Sequence, residues 1–116
     1  MIFKDNENKQ YYTDMLLAFV QNGTMKFSEI EELVNKGADV NAKKPSIFSV
    51  AGEKTVIIDA IITNIKNHGK HNYIVSYLLN KGAKLDIKKL DTELGYTRDQ
   101  GYTIEVDEFR KNMKGL

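Results

Sequence analysis

IEELVNKGADVNAK, residues 30–43, and IVSYLLNKGAKLDIK, residues 74–88, are two copies of one pattern. Each runs from an apolar-striped segment through Asn-Lys-Gly-Ala into a short extended piece, and Gly82 follows Gly37 by 45 positions. Self-similarity at a fixed spacing marks a repeat architecture. In the first copy Ile30, Leu33 and Val34 fall at i, i+3 and i+4, one stripe of a helix, while Glu31, Glu32 and Lys36 face elsewhere. Ser28 and Glu31 have the spacing of a capping box at its start, and Gly37 stands where a left-handed residue ends a helix. In the second copy Ile74, Val75, Leu78 and Leu79 supply the stripe and Gly82 the stop.

Working outward, an apolar segment precedes each of these helices, Asp14 to Gln21 and Thr55 to Lys66, each ending near a glycine, Gly23 and Gly69. The unit is therefore helix, turn, helix. Val56, Ile57, Ala60, Ile61 and Ile65 keep helical spacing, although so β-branched a run also admits a strand. Beyond Lys88 the period loosens, and the polar stretch Asp91 to Tyr102, with Gly95 and Gly101, reads as a loop. Thr103 to Lys114 reads as a last helix: Val106, Phe109 and Met113 share one face, Glu105, Asp107 and Glu108 lie early, and Arg110, Lys111 and Lys114 lie late, an order that suits the helix dipole.

These residues resemble the ankyrin repeat. That family's Gly-x-Thr-Pro-Leu-His-x-Ala turn and first helix, followed by a second helix ending Leu-Leu-x-x-Gly-Ala-Asp-Val-Asn-Ala, is matched by LVNKGADVNAK at 33–43 and again by LLNKGAKLDIK at 78–88. Gly52, Thr55, Ile57 and Ala60 take the Gly, Thr, Leu and Ala places, while Val56 replaces the proline and Ile58 the histidine. A family repeat is about 33 residues long, so the 45-residue spacing leaves roughly a dozen extra residues, half of them in the hairpin finger between Ala42 and Thr55 and half around Asn64 to His71. The resemblance implies an all-α fold in one domain, 1–116. It would be an ankyrin-like stack of helix-turn-helix repeats with units at about 13–43 and 52–88, and with a C-terminal loop and capping helix over 91–116. Gly101-Tyr102-Thr103 echoes the Gly-x-Thr that opens a repeat, so the last helix reads either as a cap or as a truncated third unit.

Seventeen Lys plus Arg against sixteen Asp plus Glu give a formal net charge of +1, which by itself announces neither a nucleic-acid nor a membrane partner. There is no cysteine, so disulfides, thiolate metal sites and thiol nucleophiles are excluded. The N-terminus, with Lys4, Asp5, Glu7 and Lys9, lacks the apolar run of a secretory signal. Met15 to Val20 and Val56 to Ile62 fall far short of the roughly 20 apolar residues that cross a bilayer. A cytoplasmic protein is expected.

Chemistry is sparse. His68 and His71 are three apart beside Gly69, Lys70 and Asn72, a setting that reads as a solvated loop rather than a metal or acid-base site. Asp86, Asp91 and Glu93 lack the glycine and the ligand spacing of a calcium loop. No phosphate-binding loop and no nucleophile elbow occurs. The chain is therefore expected to be no enzyme and to use no cofactor or metal.

The resemblance implies binding of another protein, in ankyrin-like stacks through the fingers and first helices. Ile47, Phe48 and Val50 in the finger are either such an interface or, in the case of Phe48, a cover for the core. Asp91, Glu93, Tyr96, Asp99 and Tyr102 are either an acidic, aromatic surface for a basic partner or an ordinary connection. A composition rich in Lys, Asn and Ile suits a bacterial or phage protein that blocks one target stoichiometrically, such as an immunity protein or a nuclease inhibitor. The rival reading is a nucleic-acid-binding or regulatory module using Lys43-Lys44, Lys66 to Lys70 and Lys88-Lys89 with Tyr11, Tyr12, Tyr73 and Tyr77. Acidic residues interspersed among those lysines favour a solvated surface. A homodimer that covers an open stack end stays open as well.

Overall fold

The computed structural model describes residues 5–44 and 54–113. In chain order the described elements are α1 (Asp5–Val20), α2 (Phe27–Asn35), β1 (Lys43–Lys44), β2 (Lys54–Thr55), α3 (Val56–Lys66), α4 (Asn72–Asn80), α5 (Ile87–Asp99) and α6 (Thr103–Asn112). The chain is mostly helical, as expected. The helices pack as consecutive pairs, α1 with α2, α3 with α4 and α5 with α6; α1 also packs on α3, α2 on α4, and α3 on both α5 and α6.

The Asn-Lys-Gly-Ala stop is one hydrogen-bonded device used twice. At the end of α2 the Gly37 N–H donates to the Val34 carbonyl and the Ala38 N–H to the Leu33 carbonyl, both at 3.0 Å. At the end of α4, Gly82 and Ala83 do the same to Leu79 and Leu78 at 3.1 Å. This double closure satisfies carbonyls that the helix leaves without partners. It requires the glycines, whose φ values are 106° and 96°.

A side chain from an earlier segment then holds the same backbone position in each copy. The Thr13 hydroxyl accepts from the Asp39 N–H at 2.9 Å, and the Asn41 Oδ1 accepts from the Lys84 N–H at 2.7 Å. Asn41 also donates through Nδ2 to the Gly82 carbonyl at 3.1 Å, so the first copy is bonded directly to the second.

α3 lies at the centre. All ten residues from Val56 to Ile65 are buried, which is what a helix apolar around most of its circumference requires. The Thr55 hydroxyl caps it by accepting from the Ile58 N–H at 3.3 Å. The helical reading of this β-branched run holds, because burial on every side rewards Ile and Val whatever their modest helix propensity. The base of the expected finger is present as an antiparallel ladder, Lys43 opposite Thr55 and Lys44 opposite Lys54.

Three expectations are corrected. The stretch 91–102 is not a loop: residues 87–99 form α5, capped by the Asp86 carboxylate accepting from the Lys89 N–H at 3.2 Å. Its core face is Leu90, Glu93, Leu94 and Thr97, so half of the stripe is polar and the period was hidden. The first helix begins at Asp5 rather than near Asp14. The capping box at Ser28 and Glu31 does not form, since α2 starts at Phe27 with Lys26 as its N-cap and no side-chain cap bond. The final helix is found where expected, ending at Asn112, with Val106 and Phe109 buried and Met113 against the core. It pairs with α5.

Gly82→Ala tests the stop in isolation, because an added Cβ there would meet nothing within 4 Å. The expected loss is about 1–2 kcal/mol of unfolding free energy from backbone strain alone, with an unchanged denaturant slope, measured by urea unfolding.

Candidate partner-binding surface

Ile47, Phe48 and Val50 lie outside the described residues. The other five residues singled out from the sequence do not form one surface. Glu93 is buried at 4% exposure and faces the core, so it is not available to a partner. Asp91 is exposed and accepts from Arg110 at 2.9 Å across α5 and α6. Tyr96 and Asp99 are exposed, but five positions of helix turn Tyr96 about 140° away from Asp91. Tyr102 is half-buried against the core, with the Lys66 ammonium 5.9 Å from its ring centroid.

The histidines part company too. His68 is exposed at the end of α3 with φ 58°. His71 is buried rather than solvated, its Nε2 lying 3.2 Å from the Gly23 carbonyl, so the hydrogen-bonded tautomer carries its proton on Nε2. Among the described residues no group of three or more His, Asp or Glu is placed to hold a metal ion, and no helix is long and apolar enough to cross a membrane.

A buried carboxylate that the sequence reading passed over joins three elements. Asp59, in the first turn of α3 and 4% exposed, accepts from Gln21 Nε2 at 3.0 Å, and its other oxygen lies 3.9 Å from Lys54 Nζ on β2. Burial raises its pKa above the ordinary carboxylate value, against the pull of the Gln21 hydrogen bond and the Lys54 charge. The Glu93 carboxylate adds to the rise and Lys44 on β1 opposes it. The end of α1, the base of the finger and α3 thus share one acidic anchor.

A groove with apolar lining lies on the first helix pair. Tyr12, Met15 and Phe19 of α1 and Leu33 of α2 line an open groove of about 320 Å³, with Tyr11 at its lip. Tyr11 is 61% exposed and meets Tyr12 edge-on at 5.6 Å between centroids. Glu29, Glu32 and Lys36 form the rim. Among the described residues the lining comes from α1, α2 and the C-cap of α2, Lys36. At the far end α5 and α6 are joined by exposed ion pairs, Asp91 with Arg110 and Arg98 with Asp107, and also leave Ile87, Tyr96 and Ile104 exposed. Sequence reasoning placed Tyr11 and Tyr12 in a rival nucleic-acid surface; their i, i+3 and i+7 companions Met15 and Phe19 were the available signal of an apolar stripe on the helix face away from α3.

The arrangement defines a helical protein of paired α-helices. Compared with known proteins, the chain matches no family model, no curated protein and no solved structure.

Asp59 gives a pH-dependent outcome. With its folded pKa raised above the unfolded value, the native state binds the proton more tightly, so this group's contribution to stability improves as pH falls through the folded pKa and worsens as pH rises through it. Asp59→Asn is therefore expected to be at least as stable as wild type at pH 7, with its advantage shrinking on acidification toward pH ~4. Urea unfolding of both proteins across that range measures the difference.

Proposed function

We propose that the chain is a divergent ankyrin-type stack that works by stoichiometric binding of another protein. Support for the stack is the twofold use of the Gly37 and Gly82 closures, the hairpin base between them and the Asn41 bonds that join one copy to the next. The observation that carries the binding role is the groove on α1 and α2, where Tyr12, Met15 and Phe19 are only partly buried and Tyr11 at the lip is 61% exposed. Aromatics and Met are enriched at the cores of protein interfaces, and a terminal unit of a helical repeat ordinarily presents a polar outer face. Blocking a single target, as an inhibitor or immunity-type protein does, needs no more than such a surface.

The test is capture from native cells with two baits, wild type and a Tyr11→Ala, Glu29→Lys variant, both positions being exposed. One protein recovered at equimolar amount by wild type, reduced at least about tenfold with the variant, and retained when salt rises from roughly 50 to 200 mM is the expected result. Recovery of nucleic acid that leaves in that salt range, through the finger and turn lysines, would overturn the protein-binding reading.

A further inference from the structure

The groove also carries the chemistry of its occupant. Formal charge is divided unequally along the chain. Asp5, Glu7 and Asp14 against Lys9 in α1, with Glu29, Glu31 and Glu32 in α2, leave these two helices at −5, so the remaining residues hold +6 to give the chain its net +1. The one basic residue on the groove rim, Lys36, is engaged: its ammonium lies 2.9 Å from Glu32 and 5.3 Å from the Tyr12 ring centroid. Its bond to Glu32 holds its pKa above the ordinary lysine value. What the groove offers is an apolar floor beneath a rim of net charge −1, Glu29 and Glu32 against Lys36.

Resting on the reading of the chain as a protein binder, we propose that this groove takes a basic amphipathic helix, with apolar residues seated on Tyr12, Met15 and Phe19 over the buried Leu33 and a Lys or Arg directed at Glu29, Glu32 being paired with Lys36. Two helices form the walls and no strand edge lines them, so the complementary shape is a third helix packed into the ridge between them. From Tyr12 to Phe19 the floor runs about 10 Å along α1, room for two turns with anchors at i, i+3 or i+4, and i+7.

A second copy of this chain is the poorer occupant on the same grounds. A twofold dimer through this face brings together two rims on which Glu29 and Glu32 outnumber Lys36, and like charges brought together repel. A head-to-tail contact meets α5 and α6, whose charges sum to −1 and which therefore offer no complementary positive face.

The experiment uses two designed peptides with leucine at i, i+3, i+4 and i+7, one with lysine at the polar positions and one with glutamate, titrated into isotopically labelled full-length protein. Binding is read by calorimetry and by backbone amide shifts, and self-association by sedimentation of the protein alone. The lysine peptide is expected to bind one to one, shift amides of α1 and α2, and bind at least tenfold more tightly than the glutamate peptide. Glu29→Lys, which leaves the Glu32–Lys36 pair intact, should reduce that preference severalfold while preserving the helical spectrum. Equal binding of both peptides, or a preference for the glutamate peptide, sinks the basic-helix proposal and leaves the protein-binding reading standing. So do groove shifts that appear when the protein alone is concentrated, which identify a second copy as the occupant. Absence of any binding at this face, by peptides or by self-association, overturns both.

Discussion

Burying α3 on every side is the constraint from which the rest of the arrangement follows. A helix with ten consecutive buried residues gains about 1.5–3 kcal/mol for each large aliphatic side chain removed from water, but it also withdraws Asp59, Thr63 and Asn64 from solvent, and buried polar groups need partners. Those partners fix the surroundings. Asn64 accepts the His71 N–H at 2.7 Å and donates to Asn72 at 2.6 Å, which sets the turn into α4. Asp59 draws Gln21 from the end of α1 and Lys54 from the finger base. Apolar burial brings the helices together, and the polar groups inside α3 decide how its neighbours connect.

The second level of order is the relay from copy to copy. Thr13 holds Asp39 and Asn41 holds Lys84 through backbone N–H groups at equivalent positions, so each turn is positioned by the segment before it. On the other side α2 and α4 meet through rings, Phe27 packing edge-on against Tyr77 at 5.0 Å and tilted against Tyr73 at 5.7 Å. This contact carries a loss. The Tyr77 hydroxyl and His71 Nδ1 are buried without hydrogen-bond partners among the described residues, and burial, with the Glu31 charge second, pushes the Tyr77 pKa up.

The two ends of the molecule solve the problem of a terminal face differently. At α5 and α6 the exposed pairs Asp91 with Arg110 and Arg98 with Asp107 tie the two helices together, contacts worth little in stability when exposed, beside the exposed apolar side chains Ile87, Tyr96 and Ile104. At α1 and α2 the exposed Tyr11 and the partly buried Tyr12, Met15 and Phe19 face the groove, and of the acids beside them Glu32 is paired with Lys36.

Much of the local architecture was legible in the residues. The stripes of α2, α3, α4 and α6 and the glycine stops at Gly37 and Gly82 are near-neighbour phenomena, set by side-chain period and backbone φ, and a sequence records both. α5 was illegible because Glu93 and Thr97 occupy core positions that only their surroundings make tolerable; the Thr97 hydroxyl is satisfied locally by the Glu93 carbonyl at 2.8 Å. Asp59 was passed over for the same reason, since burial belongs to the assembled core and not to a residue type. Of the candidate interface, the sequence contained the aromatic and acidic residues of α1 and α2 but not their exposure. Periodicity tells which side chains share a helix face, whereas only packing against α3 determines which of the two apolar faces of α1 is covered and which is left to water.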